Sequence, residues 1–316
     1  MNKFSTFTRS AIAVAVSAIA LIATPLAQAD AAKPKVALVM KSLANEFFQT
    51  MENGAKEHQK KSGGKYELVA NGIKDESDTS AQIKIVEQMI VSHVDAIVLA
   101  PADSKALVAV TKKAMDAGIV VVNIDNKFDE DTLKAKGIAV PFVGPDNRKG
   151  AQKVGEVLAK KLTKGDKVGI IEGVSTSFNA KQRTAGFTDA MTAAGMKIIP
   201  VQSGEWEIDK ASKVASAMLS ENPDLKAILA GNDNMAIGAV AAIKSAGKTG
   251  KVMVVGFDNI SAIVPMLKDG RVVATADQHA DKLAVFGIEN AIKAIKDKSA
   301  AKGGVIETPV DLVVGK

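Results

Sequence analysis

The chain has 316 residues with an ordinary globular share of hydrophobic and charged residues, which excludes collagen-like, low-complexity and wholly disordered proteins. Its 41 Lys and Arg residues and 35 Asp and Glu residues give a net charge of +6 without a basic cluster, so we expect no nucleic-acid partner. The absence of cysteine excludes disulfide scaffolds, thiolate metal sites and cysteine nucleophiles. With only three histidines, we expect no metal site.

Residues 1–29 have the three-part pattern of a secretory signal peptide. Lys3 and Arg9 make the start positive, residues 11–22 form an apolar run, and Ala27 and Ala29 supply the small residues of a cleavage site. The run is shorter than the roughly 20 residues that a membrane-spanning helix needs. No cysteine follows it for lipid attachment. We therefore expect cleavage near Ala29 and a mature protein that is free in the periplasm.

The remaining residues alternate between short apolar runs and amphipathic stretches of helical period. The apolar runs, interpreted as strands, are residues 36–40, 66–70, 96–100, 119–124, 168–171, 198–202, 227–230, 252–256, 272–275 and 310–314. The amphipathic stretches, interpreted as helices, are residues 47–61, 81–92, 105–117, 149–162, 180–194, 209–219 and 235–246. Continuously apolar strands that alternate with helices predict doubly wound parallel sheets. Two such sets, before and after residues 144–145, predict two similar α/β lobes.

Polar and aromatic side chains follow the predicted strands, at the edge where open α/β sheets bind ligands. They are Lys41, Asn45, Phe47, Phe48, Asp125, Asn126, Trp206, Asn232, Phe257, Asp258 and Gln278. Aromatic rings stack on the C–H faces of sugars, while carboxylates and amides hydrogen-bond their hydroxyl groups. Taken singly, an Asp or Asn after a strand is as often a helix cap, and Phe47 and Phe48 also fit a helix core. Together, these residues predict a site for a polyhydroxylated ligand.

Motifs for enzymatic chemistry are missing from the sequence. There is no G-x-S-x-G nucleophile elbow and no G-x-G-x-x-G fingerprint after the first strand. Gly247-Lys248-Thr249 resembles the end of a phosphate-binding loop, but Ala242 stands where its first glycine belongs. Asp125 and Asp258 are suited to acid–base work, yet as ligand acceptors they need no further partner. We expect no enzyme activity and no cofactor.

Seven segments, in order along the chain, resemble the periplasmic sugar-binding proteins of ABC importers, in particular the ribose- and D-allose-binding group. They are KSLANEFF at 41–48, VNIDN at 122–126, IEG at 171–173, NPD at 222–224, GNDNMAIG at 231–238, VVGFD at 254–258 and ATADQ at 274–278. The resemblance covers the mature chain and implies two lobes joined by a three-stranded hinge near Pro145, Gln278 and Pro309. It implies an N-terminal lobe of residues 30–145 and 279–309 and a C-terminal lobe of residues 146–278 and 310–316.

The resemblance also implies roles for individual residues. The side chains implied to hydrogen-bond sugar hydroxyls are Asn45, Asp125, Asn232, Asp258 and Gln278. The aromatic residues implied to contact the sugar are Phe48 and Trp206, on its two faces, and Phe47 and Phe257, at the pocket wall. Lys41 matches the allose-binding pattern, which differs here from the serine of ribose binders. Lys181 and Arg183 fall in the segment where ribose binders have a ligand-contacting arginine.

The sequence departs from both family patterns at two places where hydroxyl selectivity would be set. Asn126 stands where ribose binders have arginine and allose binders have glutamate, and neither pattern predicts Phe178-Asn179. The particular sugar therefore stays open, and so does a ketose or a polyol.

The implied function is to capture a pentose or hexose between two closing lobes and deliver it to an ABC transporter permease. A pentitol- or inositol-binding protein of the same class is the main alternative. A LacI-type repressor effector domain should begin with a helix-turn-helix, and a sugar-modifying enzyme should show a nucleophile or cofactor cradle. A chemoreceptor stays open as a second partner of the closed form, and we expect a monomer.

Overall fold

The computed structural model describes Met1 and residues 33–297 and 302–315. The predicted signal peptide and its cleavage site at residues 27–29 lie outside the described residues. The strands are β1 (Lys35–Ser42), β2 (Glu67–Ile73), β3 (Ala96–Leu99), β4 (Val120–Ile124), β5 (Phe142–Pro145), β6 (Lys167–Glu172), β7 (Lys197–Ile198), β8 (Gln202–Ser203), β9 (Ala227–Ala230), β10 (Met253–Val255), β11 (Ala274–Asp277), β12 (Val305–Thr308) and β13 (Asp311–Val314).

Helices connect these strands throughout the described chain. They are α1 (Glu46–Lys61), α2 (Thr79–Val91), α3 (Val108–Asp116), α4 (Glu130–Ala135), α5 (Asn147–Ala159), α6 (Phe178–Ala193), α7 (Ile208–Glu221), α8 (Asp233–Ser245), α9 (Val264–Lys268) and α10 (Ala280–Lys296), with a 3₁₀ turn at Ser261–Ile263. Several begin at a side-chain cap, such as Asn45 on α1 and Asn232 on α8. Within the part of the chain that the structure describes, no helix is both long enough and apolar enough to cross a bilayer.

The strands form two separate sheets, which define the first and second lobes. The first sheet has the order β12-β5-β4-β3-β1-β2 and is parallel throughout. The second has the order β13-β11-β10-β9-β6-β7, in which only β13 runs antiparallel, and β8 also pairs with β6. The predicted fold class of two doubly wound α/β lobes is confirmed.

Each sheet lies between two layers of helices. The first sheet packs against α1 and α10 on one face and α2 and α3 on the other. The second packs against α5 and α6 on one face and α7 and α8 on the other. An apolar cluster on the inner side includes residues of both lobes, among them Phe48 and Trp206. The lobes thus meet at a shared apolar boundary beside the strand ends.

The chain passes between the two sheets three times: after β5, after β11, and between β12 and β13. These positions adjoin Pro145, Gln278 and Pro309. The exact lobe boundaries at residues 145/146, 278/279 and 309/310 stay predictions, but each falls in a connection between the sheets.

Some elements differ from the sequence analysis. The single strand expected at residues 198–202 is two short strands, β7 and β8, because Pro200 lies between them and has no N–H for a ladder. The strands β5 and β12 and the helices α4, α9 and α10 were not among the predicted elements. β12 escapes the pattern because it is an edge strand whose Val305 and Ile306 are exposed, so it lacks a buried apolar run.

Candidate ligand-binding site

A pocket of about 220 Å³ lies between the two lobes, at the carboxyl ends of their strands. Its lining residues are Lys41, Asn45, Phe47, Phe48, Glu76, Asp125, Asn179, Arg183, Trp206, Asn232, Asp258 and Gln278. Every one of them is buried, the most exposed being Asp258 at 7%. A small pocket lined by buried polar and aromatic side chains suits a small polar ligand.

Two helix caps also form part of the pocket wall. The side-chain oxygen of Asn45 accepts a hydrogen bond from the Phe47 N–H at 3.0 Å, and its Nδ2 donates to Glu76 Oε1 at 3.0 Å. Asn232 likewise caps α8 by accepting from the Met235 N–H at 2.9 Å. Asn45 and Asn232 therefore both cap a helix and line the pocket, because a helix that begins at a strand end has its cap at that edge of the sheet.

On the first-lobe side, the Lys41 ammonium lies between two buried carboxylates. Its Nζ is 3.6 Å from Glu76 Oε2 and 3.4 Å from Asp125 Oδ2. Burial alone lowers the pKa of Lys41, but the charges of Asp125 and Glu76 raise it above its ordinary value, so the ammonium stays charged. Burial raises the pKa of the Glu76 carboxyl, which Lys41 and the Asn45 hydrogen bond partly oppose.

On the second-lobe side, Arg183 is held by several partners. Its Nε donates to Asn147 Oδ1 at 2.8 Å and its Nη1 donates to the Gly231 carbonyl at 3.0 Å. Nη1 is also 3.4 Å from Asp258 Oδ1, and the guanidinium carbon lies 3.9 Å from the centre of the Phe257 ring. These contacts fix a buried cation at the pocket wall, where a planar guanidinium can donate to oxygen atoms.

The aromatic residues Phe48 and Trp206 both lie near the Lys41 ammonium. Its Nζ is 5.3 Å from the Phe48 ring centre and 5.4 Å from a ring of Trp206. Phe47 packs edge-on against Phe48, with ring centres 5.1 Å apart. The Trp206 indole also packs against the Gly173 backbone, where a Cβ would overlap the indole. Aromatic rings and polar groups that line the same pocket suit the C–H faces and the hydroxyl groups of a sugar.

Three pocket residues have backbone conformations that side chains rarely adopt. The φ angles of Asp125, Trp206 and Asp258 are +61°, +68° and +119°. Such conformations cost on the order of 1 kcal/mol or more and concentrate at functional sites. The strain turns these three side chains, each in a loop between a strand and the next helix, toward the pocket.

Several buried polar atoms of the pocket have no hydrogen-bond partner within the described residues. They are Glu76 Oε2, Asp125 Oδ2, Asn179 Oδ1, Trp206 Nε1 and Gln278 Oε1. Protein interiors satisfy the great majority of such groups. Of these atoms, Glu76 Oε2 and Asp125 Oδ2 are ion-paired with Lys41 at 3.6 and 3.4 Å. Four acceptors and one donor on the residues that line one small pocket suit a ligand with several hydroxyl groups, each of which both donates and accepts.

Ten of the thirteen residues predicted for the site line this pocket, and Asn126, Lys181 and Phe257 do not. Asn126 is fully buried, and its amide group bonds the Pro101 carbonyl and the Asn179 N–H. Lys181 is exposed on the surface of α6. Phe257 is fully buried, and its ring packs against the guanidinium of Arg183.

Two pocket residues were not among the predicted site residues. Glu76 lies in the loop after β2, several residues beyond the strand end. The pattern of polar residues directly after strands therefore does not predict it. Asn179 lies in the first turn of α6, and its only sequence signal is the departure from the family patterns at Phe178-Asn179.

Comparison with known proteins agrees with the fold. Residues 36–299 match the family model of the periplasmic binding protein domain. The chain is 70% identical over 283 residues to the D-ribose/D-allose-binding protein of Pseudomonas aeruginosa, covering 89% of each. It is 34% identical to the ribose import binding protein of Salmonella typhimurium, covering 95% of this chain and 96% of that protein.

Two solved structures of ABC transporter solute-binding proteins are similar over most of the chain. One, from Burkholderia multivorans, carries an unknown ligand represented as alpha-D-erythrofuranose; it has a TM-score of 0.88 and 72% identity, covering 90% of this chain and 100% of that chain. Another, from Actinobacillus succinogenes with bound D-allose, has a TM-score of 0.83 and 36% identity, covering 89% and 98%. The chain therefore belongs to the periplasmic binding protein family, the solute-binding proteins of ABC importers.

Proposed function

We propose that this protein binds one neutral monosaccharide between its two lobes and delivers it to the permease of an ABC importer. The observation that carries the proposal is the set of buried polar atoms without a hydrogen-bond partner in the described residues, in a pocket that the Phe48 and Trp206 rings also line. A sugar ring in this space would stack on both aromatic faces. Its hydroxyl groups would satisfy Glu76, Asp125, Asn179 and Gln278.

The charge balance of the pocket supports a neutral ligand. Lys41 and Arg183 supply two positive charges, while Glu76, Asp125 and Asp258 supply up to three negative charges. A sugar phosphate or sugar acid would add a buried negative charge without a free cation to compensate it, which is costly. Hydroxyl groups, in contrast, can bridge the existing charges, and hydrogen bonds to charged groups are stronger than neutral ones.

The similar proteins supply the class of sugar. One relative is named for D-ribose and D-allose, another for ribose import, and a third, 33% identical, for D-apiose import. A pentose or hexose is therefore the first candidate. A polyol is the second, since a structure bound to myo-inositol has a TM-score of 0.79 and 27% identity.

Capture and delivery would proceed by closure of the lobes about the three connections between the sheets. The closed form would be the one that the permease recognises. Residues 1–29 would direct the chain to the periplasm and be removed near Ala29. We expect the mature protein to be a monomer that returns its ligand chemically unchanged, and a chemoreceptor stays a candidate second partner.

The test is titration calorimetry of residues 30–316 against ribose, allose, apiose, psicose, fructose, xylose, galactose, myo-inositol and pentitols. Ribose 5-phosphate and ribonic acid are the matched anionic controls. We expect tight binding of a neutral ligand, no binding of the anions, and recovery of the unaltered ligand by mass spectrometry. Preferential binding of an anion, or recovery of an isomerised sugar, would contradict the proposal.

A further inference from the structure

We infer that side chains outside the pocket set the affinity of this protein by stabilising the closed arrangement of its lobes; this rests on the proposed function. Three first-lobe side chains, here called the latch, accept hydrogen bonds from backbone N–H groups of the second lobe. They are Glu46, Ser104 and Asn126. The latch adjoins the pocket in sequence, since Glu46 follows Asn45 and Asn126 follows Asp125.

The first part of the latch caps a helix of the opposite lobe. The N-terminal N–H groups of an α-helix have no partner inside the helix. At the start of α6, the N-cap side chain, Ser177, makes no capping hydrogen bond within the described chain and donates instead to the Val174 carbonyl. The Phe178 N–H donates to Ser104 Oγ at 2.9 Å, and the Asn179 N–H donates to Asn126 Oδ1 at 3.1 Å. The first lobe thus supplies the cap that α6 lacks.

Asn126 is fixed in the orientation that this role requires. Its Nδ2 donates to the Pro101 carbonyl at 2.9 Å, and its own carbonyl accepts from Asn123 Nδ2 at 2.8 Å. Ser104 Oγ donates to Asn126 Oδ1 at 3.3 Å, so its lone pairs are left to accept from the Phe178 N–H. The side chain is fully buried. Asn126 is therefore committed to the lobe contact and has no group left for the ligand.

The second part of the latch joins α1 to the 3₁₀ turn of the second lobe. The Glu46 carboxylate accepts from the Ser261 N–H at 2.7 Å and from the Ala262 N–H at 3.3 Å. This is a charge-assisted contact between residues 215 positions apart. Because Phe47 and Phe48 follow Glu46 in α1, the contact also holds the aromatic end of that helix against the second lobe.

The consequence for affinity follows from the coupling between closure and binding. When the lobes separate, the hydrogen bonds between the latch acceptors and their N–H donors are replaced by hydrogen bonds to water. If the ligand binds the closed form, its apparent dissociation constant is the intrinsic one divided by the closed fraction. Loss of a latch contact lowers that fraction, and it does so equally for every ligand. A pocket side chain, in contrast, affects each ligand according to the hydroxyl groups it touches.

The first experiment compares two sugars that the wild type binds, titrated against Glu46→Ala, Ser104→Ala and Asn126→Ala. We expect each variant to lose about 5- to 10-fold in affinity, by the same factor for both sugars. The matched control is Asp166→Ala, which removes a side-chain acceptor for the Thr163 N–H within one lobe. The control should bind as the wild type does. Wild-type affinity in the Glu46 and Ser104 variants, or unequal factors for the two sugars, would overturn the inference.

The second experiment needs no ligand and separates the latch from the proposed function. Because the chain has no cysteine, Ser80→Cys and Lys213→Cys place a spin label on each lobe, on α2 and α7. Pulsed electron resonance should show a short-distance population in the unliganded protein that Glu46→Ala and Ser104→Ala reduce. If that population falls while no sugar binds, the latch stands and the proposed function fails. If sugars bind but the population is absent or unaffected, the latch is overturned and the function stands.

Discussion

Gln278 donates a hydrogen bond from Nε2 to Asp258 Oδ1 at 2.6 Å, and this bond ties one connection between the lobes to the most strained carboxylate of the pocket. Gln278 directly follows β11, where the chain leaves the second sheet. The oxygen of the same amide, Oε1, is among the pocket atoms that have no hydrogen-bond partner within the described residues. A ligand that hydrogen-bonds this oxygen would therefore contact a residue that belongs to a connection between the lobes.

Asp258 gives the protein a specific dependence of stability on pH. Burial raises the pKa of Asp258 to about 7, although Arg183 and Gln278 act to lower it. The folded state thus holds a proton that the unfolded state has already released above about pH 4. The contribution of this group to the free energy of unfolding is greatest below pH 4. It is lost as the pH rises to about 7.

The prediction is that the stability difference between wild type and Asp258→Asn changes by up to about 4 kcal/mol over this range, since each pKa unit corresponds to ~1.4 kcal/mol. Chemical denaturation of both unliganded proteins at pH 4.5, 6 and 8 measures the difference. Wild type should lose stability relative to the variant as the pH rises. A parallel pH dependence of the two proteins would show that Asp258 is already ionised at pH 4.5.

Trp206 is the only tryptophan of the chain and lies in the pocket wall, so its fluorescence should change when sugar binds. Trp206→Ala should weaken binding by roughly 30- to 1000-fold, because it removes stacking and apolar burial worth about 2–4 kcal/mol. Trp206→Phe keeps an aromatic face and should lose less. Calorimetry measures both, and an unchanged affinity in Trp206→Ala would remove this residue from the ligand contact.

We predict that Gly173 affects ligand affinity only through its contact with Trp206. A Cβ at residue 173 would overlap the indole, so Gly173→Ala should push the ring into the pocket and weaken binding without deleting any ligand contact. Once Trp206 is already alanine, the same change should cost little more, since the two residues act as one unit. A double-mutant cycle on the dissociation constants tests this coupling, and additive losses would refute it.

Glu76 should contribute to binding although it escapes the sequence pattern. Glu76→Gln leaves the buried Lys41 with one carboxylate instead of two and replaces a charged acceptor by a neutral one, so we expect affinity to fall by about tenfold. Glu57→Gln is the matched control, because Glu57 pairs with Lys61 on an exposed helix face. Equal affinities in the two variants would place Glu76 outside the ligand contact.

The fold could be predicted because its signal is local. β3 and β9 are fully buried four-residue runs, and their apolar composition alone indicates parallel strands with helices on both faces. β12 could not be found in this way, since three of its four residues are exposed and its pairing with β5 is set by the long return of the chain.

The site could be predicted as far as strand ends determine it, which is why Asp125, Asn232 and Asp258 were found. The direction of a side chain within a loop is a different matter. Asp125 has a positive φ and faces the pocket, whereas Asn126 turns to the opposite lobe, and no pattern of residue types distinguishes the two. Glu76 could not be predicted for the same reason, since its position depends on how the loop after β2 folds back onto Lys41.

The late return of the chain to the first sheet also bears on how the protein folds. α10 packs on β1, β3 and β4, and β12 completes the edge beside β5, yet both follow the entire second sheet in sequence. The first lobe therefore cannot be completed until nearly the whole polypeptide is available. Contacts of such long sequence separation slow folding. This topology therefore delays completion of the first lobe until synthesis of the chain is nearly finished.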